Sequence, residues 1–232
     1  MVSWLRVTVV VDNDPGDGLL SEWGLSMLAE APSWTCLFDA NTNPSVLAHN
    51  LRALGVNLSR VDFAVLSHHH YDHSGGFSYV GKARPGLTVY APPGPLSELE
   101  SHGLRPVEVR ETHEVAEGAY VVGPLEAWGG FYEVALAVDV DGLGLVLLVG
   151  CSHPGVDRIA EAASSKLRKK VHAVIGGFHK PPASALDRLA ELADLIMPAH
   201  CTGGEAEGYV ARRYPEKYAS VRSGSRFEFR SP

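Results

Sequence analysis

The sequence is poor in cysteine, in long apolar runs and in clustered positive charge, and each shortage removes a class of protein. Three cysteines, Cys36, Cys151 and Cys201, lie far apart in 232 residues. An odd, scattered set of this kind is no disulfide framework and points to a reducing cytoplasm. The longest apolar run, "LGLVLLVG" at 143–150, is strand-sized and well short of the roughly 18 residues of a membrane span. The opening "MVSWLRVTVVVDN" is β-branched and lacks the basic start and long apolar stretch of a secretory signal. Basic residues number 20 against 27 acidic, for a net charge of −7. The densest basic stretch, "KLRKK" at 166–170, reads as the solvated end of a helix. A nucleic-acid surface shows a clustered basic footprint, so neither a nucleic acid nor a membrane is the expected partner. No pattern speaks to oligomeric state.

What is present is 45% hydrophobic residues, enough for one domain, 1–232, with a substantial core. Strands are expected at "LRVTVVVDN" (5–13), "WTCLFDA" (34–40), "VDFAVLSH" (61–68) and "LTVYAP" (87–92). "SEWGLSMLAEAP" (21–32) has mixed character and suits a helical turn. "NPSVLAHNLRALGVNLSR" (43–60) reads as an amphipathic helix, capped by Thr42 or Asn43 with Pro44 in its first turn. "PGPLSELESHG" (93–103) reads as a short helix. In the second half, "EVALAVDVDG" and "LGLVLLVGCSH" form a hairpin turning at Asp141-Gly142. Helix "GVDRIAEAASSKLRKK", strand "VHAVIGGFH", helix "PASALDRLAELA", strand "DLIMPAHCTG", helix "EAEGYVARRY" and strand "SRFEFR" follow. Two successive alternating halves imply two β-sheets sandwiched between helices: an α/β (α+β) fold with αββα layers.

The histidines are not scattered. "SHHHYDHSGG" puts His68, His69, His70, Asp72 and His73 directly after an apolar strand. "LVLLVGCSH", "AVIGGFH" and "LIMPAHCTG" deliver His153, His179 and His200 at three further strand ends. Strand ends in layered α/β proteins face the loops that carry function, and the chain has only 11 histidines. In extended chain His68 and His70 point to the same side and His69 to the other. Imidazole and carboxylate together suit zinc, iron or manganese. One loop cannot saturate two metals, so the later histidines would complete the sets. His49, His102, His113 and His172 lack a strand-end setting.

His68-x-His70-x-Asp72-His73 matches the H-x-H-x-D-H signature of the metallo-β-lactamase fold superfamily. The stretches "DN" (12–13), "EWGLSML" (22–28), "GCSHPG" (150–155), "GGFH" (176–179) and "HCTG" (200–203) resemble the dihydropterin–ribofuranosylaminobenzene 5'-phosphate synthase-like branch, many of whose members are known only as metal-dependent hydrolases. The resemblance implies an αββα four-layer sandwich holding two divalent metals, zinc first, with manganese, iron or magnesium as alternatives. It assigns His68, His70 and a third histidine to one metal, and Asp72, His73 and His200 to the other. The usual G-H-T loop is missing, which moves the third histidine to His153. The usual bridging aspartate is replaced by Cys151, either a thiolate ligand or a residue lining the site. Asp39 is a candidate for orienting a ligand imidazole, and Asn13, Glu22 and His179 for the substrate or the ligand surroundings.

Two metals roughly 3.5–4 Å apart can activate a shared water against carbon or phosphorus, with Asp72 both ligating and orienting the nucleophile. The leading expectation is a cytoplasmic hydrolase of a phosphate ester or related small molecule. A pterin-related transferase is the alternative, and a non-hydrolytic di-metal redox or sensing protein the third.

Overall fold

The computed structural model describes residues 1–231. Six strands come first: β1 (Trp4–Val11), β2 (Ser26–Glu30), β3 (Thr35–Phe38), β4 (Phe63–Val65), β5 (Thr88–Ala91) and β6 (Arg105–Glu108). Among them lie α1 (Pro44–Ala53), α2 (Tyr71–Ser74), α3 (Phe77–Ala83) and α4 (Ser97–Ser101). The second half supplies β7 (His113–Ala116), β8 (Ala119–Trp128), β9 (Phe131–Val140), β10 (Gly144–Val149), β11 (Val171–Gly177) and β12 (Ala193–Ala199). Helices α5 (Val156–Leu167), α6 (Ala183–Leu192) and α7 (Gly204–Arg213) follow β10, β11 and β12, and β13 (Arg226–Arg230) closes the chain.

The strands form two sheets, ordered β13-β1-β2-β3-β4-β5-β6 and β12-β11-β10-β9-β8-β7. Alternation along each strand divides its side chains between two faces. Val146 and Leu148 of β10 meet Val7, Met27 and Phe38 between the sheets. Leu145 and Leu147 turn outward against Ile159 and Ala163 of α5 and Leu186 and Leu189 of α6. On the far side Leu47 and Leu51 of α1 and Phe77 and Val80 of α3 cover Leu37, Ala64 and Val89. The result is helix, sheet, sheet, helix, the four-layer sandwich expected. No helix among the described residues is long and apolar enough to cross a membrane.

Local signals explain most boundaries. Helix α1 starts at Pro44 because Asn43, in extended conformation, accepts a hydrogen bond from Ser45 N at 2.8 Å. Asp141 and Gly142 form the turn between β9 and β10. The segment 21–32 differs from expectation. It holds no helical turn but strand β2, paired on both sides with β1 and β3. Met27 and Ala29 enter the inter-sheet core while Leu28 faces the helices, so the period of two governs the segment. Strand β13 returns to pair antiparallel with β1, a long-range pairing without local signal.

The arrangement converges on one edge. Strands β3, β4 and β5 run parallel, as do β10, β11 and β12. The C-terminal ends of β4 and of β10 to β12 meet there. Val134 N of β9 donates to Ser67 O at 2.9 Å, joining the two sheets beside the histidine loop.

Candidate metal centre

The histidine loop leaves β4 at Ser67 and turns into α2, which carries Asp72 and His73. Three donor sets lie within 4.8 Å internally: His68, His70 and His153; Asp72, His73, Cys151 and His200; and Cys151, His179 and Cys201. The first two are the sets expected from the sequence, with His153 as third histidine and Cys151 among the second set.

Each buried imidazole is fixed through its Nδ1. His68 Nδ1 meets Ser67 Oγ at 2.9 Å, His73 Nδ1 meets Asp39 Oδ2 at 2.6 Å, and His200 Nδ1 meets Asn13 Oδ1 at 3.0 Å. Holding Nδ1 leaves the Nε2 lone pair free to ligate, the usual device for orienting metal-bound histidine. His68 Nε2 and His200 Nε2 are accordingly buried without a hydrogen-bond partner. His200 Nε2 lies 3.3 Å from Asp72 Oδ2 without forming a hydrogen bond to it. His70 Nδ1 and His153 Nε2 are also 3.3 Å apart. Two nitrogens at about 2.0–2.1 Å from one tetrahedral zinc lie about 3.3 Å from each other. Orphaned lone pairs, matching spacings and imidazole–carboxylate–thiol chemistry all fit divalent metal ions.

The surrounding residues hold this geometry. Asp39, fully buried and at φ 55°, also accepts from Ser67 N and Ser67 Oγ, each at 2.7 Å. Asp12 Oδ1 accepts from His200 N at 2.7 Å, and Asn13 Nδ2 donates to His200 O at 2.7 Å. Glu133, fully buried on β9, accepts from Ser152 N and His153 N, both at 2.8 Å. It clamps the loop that carries Cys151 and His153. Ser152, His179 and His200 have φ of 60°, 48° and 49°, a left-handed backbone that costs non-glycine residues energy and collects at functional sites.

Electrostatics follows the same plan. Burial alone would lower the His73 pKa, but the Asp39 carboxylate beside it prevails and raises it to about 8. Burial, then the proximity of His73 and His153, keeps His68 neutral. Burial, with His179 and His70 close by, pulls His153 down to about 3. Burial would raise Asp72, yet contact with His200 and the charge of His73 hold it well below the usual carboxylate range. Burial pushes Glu133 up to about 7.

The other candidates fall as follows. His69 points away: its Nε2 meets Pro92 O at 3.0 Å, and its ring packs on Gly94, where a Cβ would lie 2.3 Å from a ring carbon. Asn13 and Asp39 hold ligand residues rather than face solvent. Glu22 accepts from Asn43 N at 2.7 Å and from Asn41, securing the entry to α1. His179 stands against His153, ring centroids 4.3 Å apart. Asp12, Ser67, Glu133 and Trp23 were not anticipated. Glu133 had a signal, a carboxylate directly preceding the apolar "VALAV" stretch of β9. Trp23 Nε1 donates to Asp72 Oδ2 at 2.8 Å, although the residue is 58% exposed. With Trp128 and Phe131, which stack at 5.1 Å, it gives the mouth of the centre aromatic walls.

The four-layer arrangement is the metallo-β-lactamase fold, and part of the sequence is similar to the superfamily of that name. The profile described as beta-lactamase superfamily domain matches residues 35–136. The sequence is 28% identical over 267 aligned positions to the 7,8-dihydropterin-6-methyl-4-(β-D-ribofuranosyl)-aminobenzene-5'-phosphate synthase of Methanocaldococcus jannaschii, covering 90% of each chain. Among solved structures, a metal-dependent hydrolase of the beta-lactamase superfamily superposes with a TM-score of 0.82 at 24% identity, over 98% of this chain and 100% of that one. A diphosphatase from the PhnP family superposes with a TM-score of 0.69 at 14% identity, over 99% and 98%.

Proposed function

We propose that this protein is a single-domain, metal-dependent hydrolase of small phosphorylated substrates, built on a dinuclear centre. One metal would be held by His68, His70 and His153, the other by Asp72, His73, His200 and Cys151. The observation that carries the reading is the pair of adjacent donor sets, in which His68, His73 and His200 are held through Nδ1 and the Nε2 atoms of His68 and His200 have no hydrogen-bond partner. Bound metals of this kind supply Lewis acidity and lower the pKa of water. Zinc suits the mixed imidazole, carboxylate and thiol donors best, with manganese, iron or magnesium as alternatives.

The chain's own residues do the rest. Asp72 enters the reaction ionised, orients the attacking water through Oδ2 and takes its proton. The Trp23 indole N–H restrains that oxygen. Asp39, Ser67, Asn13 and Glu133 keep the donors in place, so little reorganisation is needed at the moment of reaction. A cavity of about 460 Å³ lies between the loops after β11 and β12 and α7, lined by Lys180, Thr202, Gly203, Glu205 and Arg212 among others, none of them a donor of the centre.

The test is removal and return of metal. Protein stripped with a chelator should lose phosphodiesterase or phosphomonoesterase activity and regain it with Zn²⁺ or Mn²⁺. Activity indifferent to chelation refutes the reading. The similarity to the archaeal synthase favours a second reading, a transferase joining a dihydropterin diphosphate to an aminobenzene ribotide. Product analysis with those two substrates separates coupling from hydrolysis.

A further inference from the structure

Three consecutive parallel strands of the second sheet end alike. Cys151, His179 and Cys201 each stand two residues beyond the last residue of β10, β11 and β12, namely Val149, Gly177 and Ala199. Their donor atoms lie within 4.8 Å of one another. The two cysteines are 3% and 4% exposed, while His179 faces the mouth. Gly177 leaves the room: a Cβ there would come within 2.7 Å of Cys201 Sγ. The chain's remaining cysteine, Cys36, is buried in the inter-sheet core and belongs to no donor set among the described residues. Two of the three cysteines therefore meet at one place, with His179 beside them.

We propose that Cys151, His179 and Cys201 form a third cation site, for a thiophilic divalent metal such as zinc or cadmium, sharing the Cys151 sulfur with the Asp72–His73–His200 set. Two thiolates and an imidazole are a recurrent zinc donor set that leaves one position open. Sulfurs about 2.3 Å from a tetrahedral zinc stand about 3.8 Å apart. Drawing these donors together requires a contraction of about 1 Å at most. His179 and Lys180 both take left-handed backbone, φ 48° and 49°, where the chain leaves β11. The site extends the proposed dinuclear centre and rests on that reading only through the shared Cys151. His179 and Cys201 are donors in neither other set, so altering them removes no ligand of the dinuclear centre.

The experiment measures metal per chain after reconstitution with excess Zn²⁺ and dialysis, for wild type, His179→Ala and Cys201→Ser. Cobalt-substituted samples add a second readout, the thiolate-to-cobalt charge-transfer absorption. The expected result is three metals in wild type and two in each variant, with the charge-transfer band diminished in Cys201→Ser. His179 is exposed, so its truncation keeps the test sound even if Cys201→Ser proves unstable. Two metals in wild type overturns the third site and leaves the dinuclear reading standing. Three metals retained in His179→Ala overturns it as well, placing the extra ion elsewhere. One metal or none in wild type overturns both.

Discussion

Replacing Asp39 with asparagine removes one charge from the base of the centre while keeping its shape. The carboxylate accepts three hydrogen bonds, from His73 Nδ1 at 2.6 Å and from Ser67 N and Oγ at 2.7 Å. Asparagine can still accept from Ser67 N, but its amide then points N–H groups at His73 Nδ1. The imidazole would turn to the tautomer that carries its proton on Nε2, the atom needed for metal. Loss of such an orienting partner costs about 10–100-fold in metal affinity, or about 1.4–2.7 kcal/mol. The metal-free protein provides a second reading of the same contact. The Asp39 carboxylate lifts the His73 pKa from 6.5 to about 8, equivalent to about 2 kcal/mol, and full burial of both groups spares it from solvent screening. A folded-state pKa above the unfolded one stabilises below pH 6.5 and is lost as pH rises through 8. In chelator-treated protein, Asp39→Asn should therefore fall below wild type in urea unfolding by about 2 kcal/mol more at pH 6 than at pH 9. A stability gap independent of pH, or zinc affinity equal to wild type, would refute this account of Asp39.

Three further outcomes are expected. Asp72→Asn should lower kcat/KM for a phosphodiester by about 10²–10⁴-fold, the range for a positioned proton acceptor, and wild-type turnover in that variant would remove Asp72 from catalysis. Glu133, raised to about 7 by burial, stabilises the fold below pH 4.5 and loses that contribution as pH rises through 7. Glu133→Gln has no such loss, so metal-free Glu133→Gln should gain about 3 kcal/mol on wild type between those two pH values. Leu136→Ala, at a fully buried inter-sheet position, should cost about 2–5 kcal/mol in urea unfolding without a change in metal stoichiometry. A smaller cost there would mean that the sheets close over the cavity.

Much of this could be read from the chain alone, for reasons that are local. The period of two in "LVLLV" and the helical spacing of Val46, Leu47, Leu51 and Leu54 express geometry that each segment carries within itself. The histidine loop was legible for the same reason, since residues in one short turn cannot escape one another. Segment 21–32 was not, because a Trp-Gly pair and a proline obscured a strand held by neighbours on both sides.

What the sequence determined by itself was the alternation of elements, their layering and the strand ends that carry donors. Tertiary structure decided which ends meet. Asp39 and His73 are 34 positions apart, Glu133 and His153 are 20, and Asn13 and His200 are 187. No local pattern joins such pairs. They come together because the parallel strands β10 to β12 share one direction, while Val134 ties β9 to Ser67 across the sandwich. The pinned nitrogens, the buried clamp at Glu133 and the meeting of Cys151 with Cys201 all follow from that closure.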